Sequence, residues 1–569
     1  MQKTSEATLS VLPLAKIKIK HREAIFKQYT SPRGILTKQT EILWQLICHP
    51  LPAAEEVEVP PKSLYRPNSV KELIHSLKNH SIDVNRFNEN GYTPLHSLIK
   101  YADIRGKQLQ SIQQRRSELV VALLANSNAE VNIRTDCAQR LSPLHLAVQE
   151  GDETCVKMLL AFDADINARD ARERTPLDIA RSSCNLGSIE KLLTQLGGLC
   201  GFGHSRPSRQ DFRRTLKSSG KADAVEEWME GRPQHSADPM RNLELVYLPD
   251  IGIKKTHVNG YKVLCLDGGG IRGLVQIEVL CQLEKTTGRK ITELFDWVVG
   301  TSTGALILLA VIYGKKSLQE VRKLYFGLKD KVIARNHSGF GFDSEALEDI
   351  IADYIGKEAR MSDVHHPKVL ITAVNKKTSK PELHMFNNCF HNQFSNEPVW
   401  KVARYTSAAP MYFTEFENYV DGGVLANNPC DVGLTAIQNY RRTSGVFRPI
   451  TLVVSIGSGL CSGMQLGSIN VQEYFLLGKH WLNPEGFKER VKNLLQLVGN
   501  ALTYSELVTQ NCRCRCEEQD IHFHRFNPLF DGQISLGEVD IQKLVDMVIE
   551  TKIQTPTQGL YELINAFLS

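Results

Sequence analysis

Apolar and polar positions follow two different rhythms along the chain, and the change falls near residue 260. Downstream of it, short, largely apolar runs occur at Val263–Leu266, Trp297–Val299, Val369–Val374 and Ile450–Ile456. Runs of this length predict buried strands. Between them apolar residues recur at helical spacing, as over Leu274–Leu283, and a further helix is expected to start at Trp400 and lead on to Pro410. Strands alternating with helices predict a layered α/β sheet. Upstream the pattern is helical throughout, with paired segments at Leu144–Glu150 and Glu153–Phe162. Single helices are expected at Ser69–Lys78 and Asn185–Leu196.

The upstream helices belong to a repeat. Gly91-Tyr-Thr-Pro-Leu-His96, Arg140-Leu-Ser-Pro-Leu-His145 and Arg174-Thr-Pro-Leu-Asp178 share one pattern, and Pro143 and Pro176 stand 33 residues apart. That is the ankyrin period. Pro94 and Pro143 are separated by one period plus an insertion, placed at the polar stretch Tyr101–Arg116. Each repeat is preceded by a short turn segment, Asp83-Val-Asn85, Glu130-Val-Asn132 or Asp165-Ile-Asn167. Three clear repeats flanked by capping helices suffice for a stable stack. Such a stack offers a protein-binding face, or else a support for the rest of the molecule or for an oligomer.

The chemistry sits at strand ends in the second half. Trp297-Val-Val-Gly-Thr-Ser302-Thr-Gly304 is a strand, then Gly300-x-Ser302-x-Gly304, then an apolar helix. This is the form of a nucleophile elbow, which lifts a serine out of a tight strand-to-helix turn. Such a serine needs a base, and the oxyanion it creates needs donors. Upstream, Tyr261–Leu266 runs into Asp267-Gly268-Gly269-Gly270-Ile271-Arg272-Gly273 and then a helix. A glycine loop at a helix start exposes N–H groups to an oxyanion or a phosphate, and Gly268, Gly270 and Gly273 also fit a dinucleotide fingerprint. Asp421, followed by Gly422 and Gly423, is a base candidate. His480, His522 and His524 follow the serine in the order of an ordinary Ser-Asp-His hydrolase, without a distinctive local setting.

Taken together, the glycine loop at 267–273, Gly-Thr-Ser-Thr-Gly at 300–304, Thr406-Ser-Ala-Ala-Pro-Met-Tyr-Phe413 and Asp421-Gly-Gly-Val-Leu-Ala-Asn-Asn-Pro429 resemble the patatin-like phospholipase family. With the repeats in front, the chain is similar to the ankyrin-containing, calcium-independent phospholipases A2 of group VI. The resemblance implies an α-helical solenoid followed by an α/β catalytic domain. It implies a Ser–Asp dyad without histidine, with Ser302 as nucleophile and Asp421 as general base. The oxyanion hole falls to Gly269, Gly270 and Arg272, with no metal and no cofactor. It further implies hydrolysis of the sn-2 acyl ester of glycerophospholipids, with lysophospholipase activity beside it. The alternative is an ankyrin scaffold carrying a residual or broader ester or thioester hydrolase.

Composition narrows the setting. The chain has 569 residues, 42% of them hydrophobic, and a net charge of +5, with no interleaved basic and aromatic stripe, so no nucleic-acid partner is expected. Eight Lys or Arg fall within residues 1–40 against Glu6 and Glu23, which suits either a solvated segment or an anionic lipid surface. The 13 cysteines are scattered and imply a reducing compartment. Cys512-Arg-Cys-Arg-Cys516 lacks zinc spacing and reads as free thiols at a helix end or in a loop. Trp297–Tyr313 carries no charge, but the elbow interrupts it and it is short for a membrane span. A cytoplasmic protein acting peripherally at a phospholipid surface is therefore expected. Phe487–Val498 is basic and amphipathic, so 481–501 is a candidate calmodulin segment. A homo-oligomer is also expected. The expected divisions are a basic segment at 1–65, repeats at 66–200, a linker at 201–258 and the catalytic domain at 259–569.

Overall fold

The computed structural model describes residues 62–67, 69–78, 82–101, 109–183, 185–201, 260–328, 332, 342–377, 380–390, 392–410, 412–461, 505–532 and 534–568. The basic segment at 1–40, the linker with its expected helical piece at Asp223–Met229, His480 and the 481–501 stretch lie outside the described residues.

The repeats form stacked helices: α1 (Val70–Leu77), α2 (Pro94–Tyr101), α3 (Leu109–Asn126), α4 (Pro143–Gln149), α5 (Glu153–Ala161), α6 (Pro176–Arg181) and α7 (Gly187–Gln195). Each repeated Thr/Ser-Pro-Leu-His has a local and a distant task. The Ser142 hydroxyl caps α4 by accepting the His145 N–H, and proline fills the first helical position, where an N–H has no helical partner. The far ring nitrogens of His96 and His145 reach the Leu141 and Arg174 carbonyls of the following repeat, at 3.2 and 3.0 Å. Burial pushes His96 down to about 4, so it stays neutral and structural. The turn asparagines form a second ladder: Asn85, Asn132 and Asn167 each accept a backbone N–H one repeat on, from Glu130, Asp165 and Leu199. Within the expected insertion at Tyr101–Arg116, the residues from Leu109 onward are the first turns of α3, so this part of the extra length lengthens a helix that belongs to the stack.

From Tyr261 the chain builds one seven-stranded sheet from β1 (Tyr261–Leu266), β2 (Trp297–Thr301), β3 (Lys368–Asn375), β4 (Glu382–Asn387), β5 (Tyr419–Asp421), β6 (Ile450–Ile456) and β8 (His522–Phe526). The order is β4-β3-β2-β1-β6-β8, with β5 also paired to β3; β7 (Leu460–Cys461) and β9 (Leu529–Phe530) pair separately. The central pairings are parallel, while β4 and β5 run antiparallel to β3. The expected fold class, a helical repeat stack followed by an α/β domain, is the one observed. All four expected strands are present, each buried as its largely apolar run requires.

Helices cover the sheet: α8 (Gly273–Thr287), α9 (Thr303–Ile312), α10 (Leu318–Leu328), α11 (Ser344–Ile355), α12 (Val399–Thr406), α13 (Cys430–Ser444), α14 (Ile541–Gln554) and α15 (Leu560–Leu568). The Cys512–Cys516 run lies inside a helix over 505–518, not at its end. Cys512 and Cys516 join Cys265 and Cys430 in the apolar core, while Cys514 faces out.

Candidate active site

The glycines around Ser302 are required by how closely α9 packs on the sheet. A Cβ on Gly304 would lie 2.6 Å from both Leu266 Cβ and the Leu266 carbonyl oxygen, and one on Gly300 would lie 2.8 Å from Ala305 Cα. Only bare backbone lets the turn close this tightly. Ser302 itself takes φ 51 and ψ −123, a conformation that costs a non-glycine residue of order 1–3 kcal/mol. Its N–H donates to the Thr406 hydroxyl at 2.8 Å, which braces the strained turn from α12. The side chain therefore stands at the carboxyl end of β2, with the N-terminus of α9 immediately behind it.

Asp421 arrives from a strand that sequence patterning did not reveal. β5 is three residues long and pairs antiparallel with β3, placing Asp421 opposite Ala373. Gly422 passes so close to Thr372 that a Cβ there would meet its hydroxyl at 2.3 Å. The Ser302 hydroxyl donates to Asp421 Oδ2 at 2.5 Å, and the Gly423 N–H donates to Oδ1 at 2.7 Å. Burial pushes the Asp421 carboxyl up to about 6, and these two hydrogen bonds offset part of the rise. It is thus ionised at neutral pH and poised near it, as a general base should be.

The glycine loop faces the same serine. A Cβ on Gly268 would come 3.3 Å from Ser302 Cβ. Gly270 has φ +57, with the Leu536 carbonyl 2.4 Å from where its Cβ would be. The loop is pinned at its ends: Gly268 N–H donates to the Asn427 carbonyl and Ile271 N–H to that of Leu536. Between them the N–H groups of Gly269 and Gly270 have no hydrogen-bond partner among the described residues, which suits donors kept for a developing oxyanion. Gly273 opens α8 and packs on Thr303. Arg272 is buried beside the loop.

All these groups open onto one cavity of about 160 Å³. Gly268 to Arg272, Ser302, Asp421 and Gly423 line it together with the apolar Leu306, Leu328, Phe342, Leu347, Phe413 and Val424. A largely apolar slot that holds a nucleophile fits an acyl chain attached to an ester. Among the described residues no histidine lines it. His522 and His524 lie on β8, which is separated from β2 by β6 and β1. The glycine loop belongs to this apolar, serine-bearing cavity, an unsuitable surround for the phosphates of the dinucleotide reading.

Three functional residues were not foreseen. Thr406 stood in a quoted motif without a role. Arg525 of β8 holds Asp267, the first residue of the glycine loop, with Nη1 to Oδ1 at 3.0 Å and Nη2 to Oδ2 at 2.7 Å. Tyr325 of α10 lines the cavity and hydrogen-bonds Thr303. Only the short apolar–polar alternation in His522–Phe526 signalled a strand for Arg525, and nothing local marked Tyr325.

The patatin-like phospholipase family profile matches residues 264–434, and an ankyrin-repeat profile of three copies matches residues 109–199. The 85/88 kDa calcium-independent phospholipase A2 of Mus musculus is 33% identical over 317 residues, 51% of this chain and 38% of its own length. An intracellular phospholipase A2 of Caenorhabditis elegans is 27% identical over 411 residues, 67% of this chain and 36% of its own. A cGAMP-activated phospholipase of Vibrio cholerae is 33% identical over 206 residues, 31% of this chain and 57% of its own. The matched segments thus cover less than two fifths of the length of the mouse and nematode relatives.

Proposed function

We propose that this chain, which carries a patatin-like phospholipase domain behind ankyrin repeats, hydrolyses the sn-2 acyl ester of glycerophospholipids through a Ser302–Asp421 dyad. The observation that carries the reading is the 2.5 Å hydrogen bond between those two side chains, both of which line a largely apolar cavity. Asp421 takes the hydroxyl proton as Ser302 Oγ attacks the ester carbonyl carbon. The carbonyl electron pair moves onto oxygen, where the Gly269 and Gly270 N–H groups and the positive end of α9 stabilise it. Collapse expels the lysophospholipid alkoxide, which takes the proton from Asp421. Water then loses a proton to Asp421 and attacks the acyl-serine, and the second collapse returns the proton to Ser302 as the fatty acid leaves. Lysophospholipids enter by the same route.

Among the described residues no helix is long and apolar enough to cross a membrane. Peripheral action at a phospholipid surface in the cytoplasm belongs to this reading. So do a protein partner on the repeats, calmodulin at 481–501 and a homo-oligomer. The expected division into segments at 1–65, 66–200, 201–258 and 259–569 is kept as part of the proposal.

The test is product analysis on vesicles of a phospholipid with different sn-1 and sn-2 chains, in EDTA. The sn-2 acid should be released first, none should appear with Ser302→Ala or Asp421→Ala, and His522→Ala and His524→Ala should retain turnover. A folded His522 or His524 variant without activity would replace the dyad with a triad.

A further inference from the structure

α10 joins the repeats to the elbow. On the repeat side, the buried Phe326 ring stacks with Phe162 just beyond α5, their centroids 4.9 Å apart. Lys323 Nζ donates to the Ser127 carbonyl at 2.9 Å. Arg322, only 2% exposed, donates to the Ala161 carbonyl at 2.8 Å and to Asp163 Oδ2 at 2.7 Å. Its other terminal nitrogen lies 3.2 Å from Glu278 of α8, itself 1% exposed. Lys552 of α14 completes the group, 3.0 Å from Glu278 and 3.1 Å from Asp163. Two cations face two carboxylates, and Asp163 is the one member that the repeats supply. Burial alone would raise the Asp163 carboxyl; Arg322 and Lys552 override it and hold it below its ordinary value. Asp163 itself is exposed, its side chain 42% accessible, yet it faces the nearly buried Arg322, so without it Arg322 and Lys552 would share the single carboxylate of Glu278, at a cost that solvent softens.

Three residues along the same helix, and so beside Arg322 on its surface, stands Tyr325. It is 3% exposed. Its hydroxyl shares a short hydrogen bond with the Thr303 hydroxyl and lies 3.2 Å from the Thr303 carbonyl, to which it donates. A Cβ on Gly273 would come 2.7 Å from the Tyr325 ring and 2.4 Å from Thr303 Oγ1. The ring is therefore wedged between the end of the glycine loop and the residue that follows the nucleophile.

We propose that Tyr325 is a positioning residue for the nucleophile, and that the repeats set its position through the ion cluster around Arg322. The cluster fixes α10; Tyr325 passes that constraint to Thr303 and, one peptide bond away, to Ser302. Small displacements of a reacting atom are expensive in rate, so the link should be visible in turnover and not only in stability. The proposal rests on the dyad reading.

The experiment uses the full chain and three single variants, Tyr325→Phe, Thr303→Val and Asp163→Asn, with Tyr325→Phe/Asp163→Asn as the double. Asparagine tolerates the positive φ of 65 at residue 163, so that variant removes the charge without straining the turn. The readouts are the rate of Ser302 labelling by a fluorophosphonate probe, kcat and KM on a soluble monomeric ester, and the thermal midpoint. Tyr325→Phe should lower labelling and kcat about tenfold with KM little changed. Asp163→Asn should lower the same two constants by about threefold or more, and the double variant should be no worse than Tyr325→Phe alone. Thr303→Val removes the same hydrogen bond from its other end and stands in if Tyr325→Phe does not fold. Wild-type labelling in both, or a lower thermal midpoint with unchanged labelling, overturns the positioning role. Independent, multiplying effects of the two sites overturn the link to the repeats. Labelling that survives in Ser302→Ala would instead remove the dyad reading beneath it.

Discussion

Replacing Asp421 by asparagine should make the folded protein more stable while abolishing hydrolysis, and both effects have one cause. The carboxyl is 5% exposed and pushed up to about 6 by burial, against an ordinary value of 3.8. Between those two pH values the native state holds a proton that the unfolded chain has released, so stability falls as pH rises through this window. Above about pH 6 the loss is complete, and it amounts to about 3 kcal/mol. Asparagine removes the charge without orphaning either neighbour. Its carbonyl oxygen can accept the Gly423 N–H, and its amide can donate to the Ser302 oxygen. The variant should therefore unfold about 5 °C higher than wild type at pH 8, with the gap closing toward pH 4. On a soluble ester, wild-type kcat/KM should decline as pH falls through about 6, where the base becomes protonated. The variant should lose on the order of 10²–10⁴ in kcat. A variant that is less stable at pH 8 would refute the claim that the buried charge is costly. One that keeps its kcat would place the base elsewhere.

Ser302→Gly and Ser302→Ala should both be inert to a fluorophosphonate probe, but the glycine variant should unfold at higher urea. It relieves the φ of 51, worth about 1 kcal/mol after the greater freedom of glycine in the unfolded chain is counted. Gly304→Ala should cost about 1–3 kcal/mol and lower the yield of folded protein, since the new methyl meets β1 backbone at 2.6 Å. Gly187→Ala, with nothing within 4 Å, is its harmless control in the same thermal assay. Arg525→Met should destabilise by about 3–5 kcal/mol by leaving Asp267 buried without its cation. Without its cation Asp267 takes up a proton at higher pH than in the wild type, so the loss should shrink as pH falls toward about 6 and level off below it, and a loss independent of pH would contradict this.

What was legible in the chain and what was not divides along a physical line. The four buried strands, the repeat helices and the glycine positions could be read because their causes are local. A short, largely apolar run means a strand covered on both faces, and a glycine two residues either side of a serine means backbone at contact distance. β5 could not be read, because three residues carry no periodicity and its pairing with β3 depends on chain some 45 residues earlier, as the register of Ala373 with Asp421 shows. That the insertion at Tyr101–Arg116 is helical from Leu109 onward went unread for a related reason: Gln and Arg are good helix formers, but it is the neighbouring stack that gives α3 something to pack on. Arg525 and Tyr325 were missed because a charge or a hydroxyl can come from anywhere in the chain; Arg525 lies 258 residues from Asp267.

The two Asp-Gly-Gly runs show why geometry must follow motif. Asp267 and Asp421 each end a buried strand, each precede paired glycines, each lie within reach of the serine turn, and burial pushes each up to about 6. As sequence they are interchangeable candidates for a base. In the structure both Asp267 oxygens are taken by one guanidinium, so any proton it gained would first have to break that two-point contact. Among the described residues Asp421 has only neutral donors, one of them the serine itself, and no neighbouring cation offsets its burial. With both carboxyls pushed to a similar value, what separates them is the partner: the Asp267 oxygens are occupied by a guanidinium, whereas an Asp421 oxygen already accepts the serine hydroxyl. On the proposed dyad reading, Asp267 holds the glycine loop in shape, and Asp421 is the carboxylate that would take the proton of Ser302.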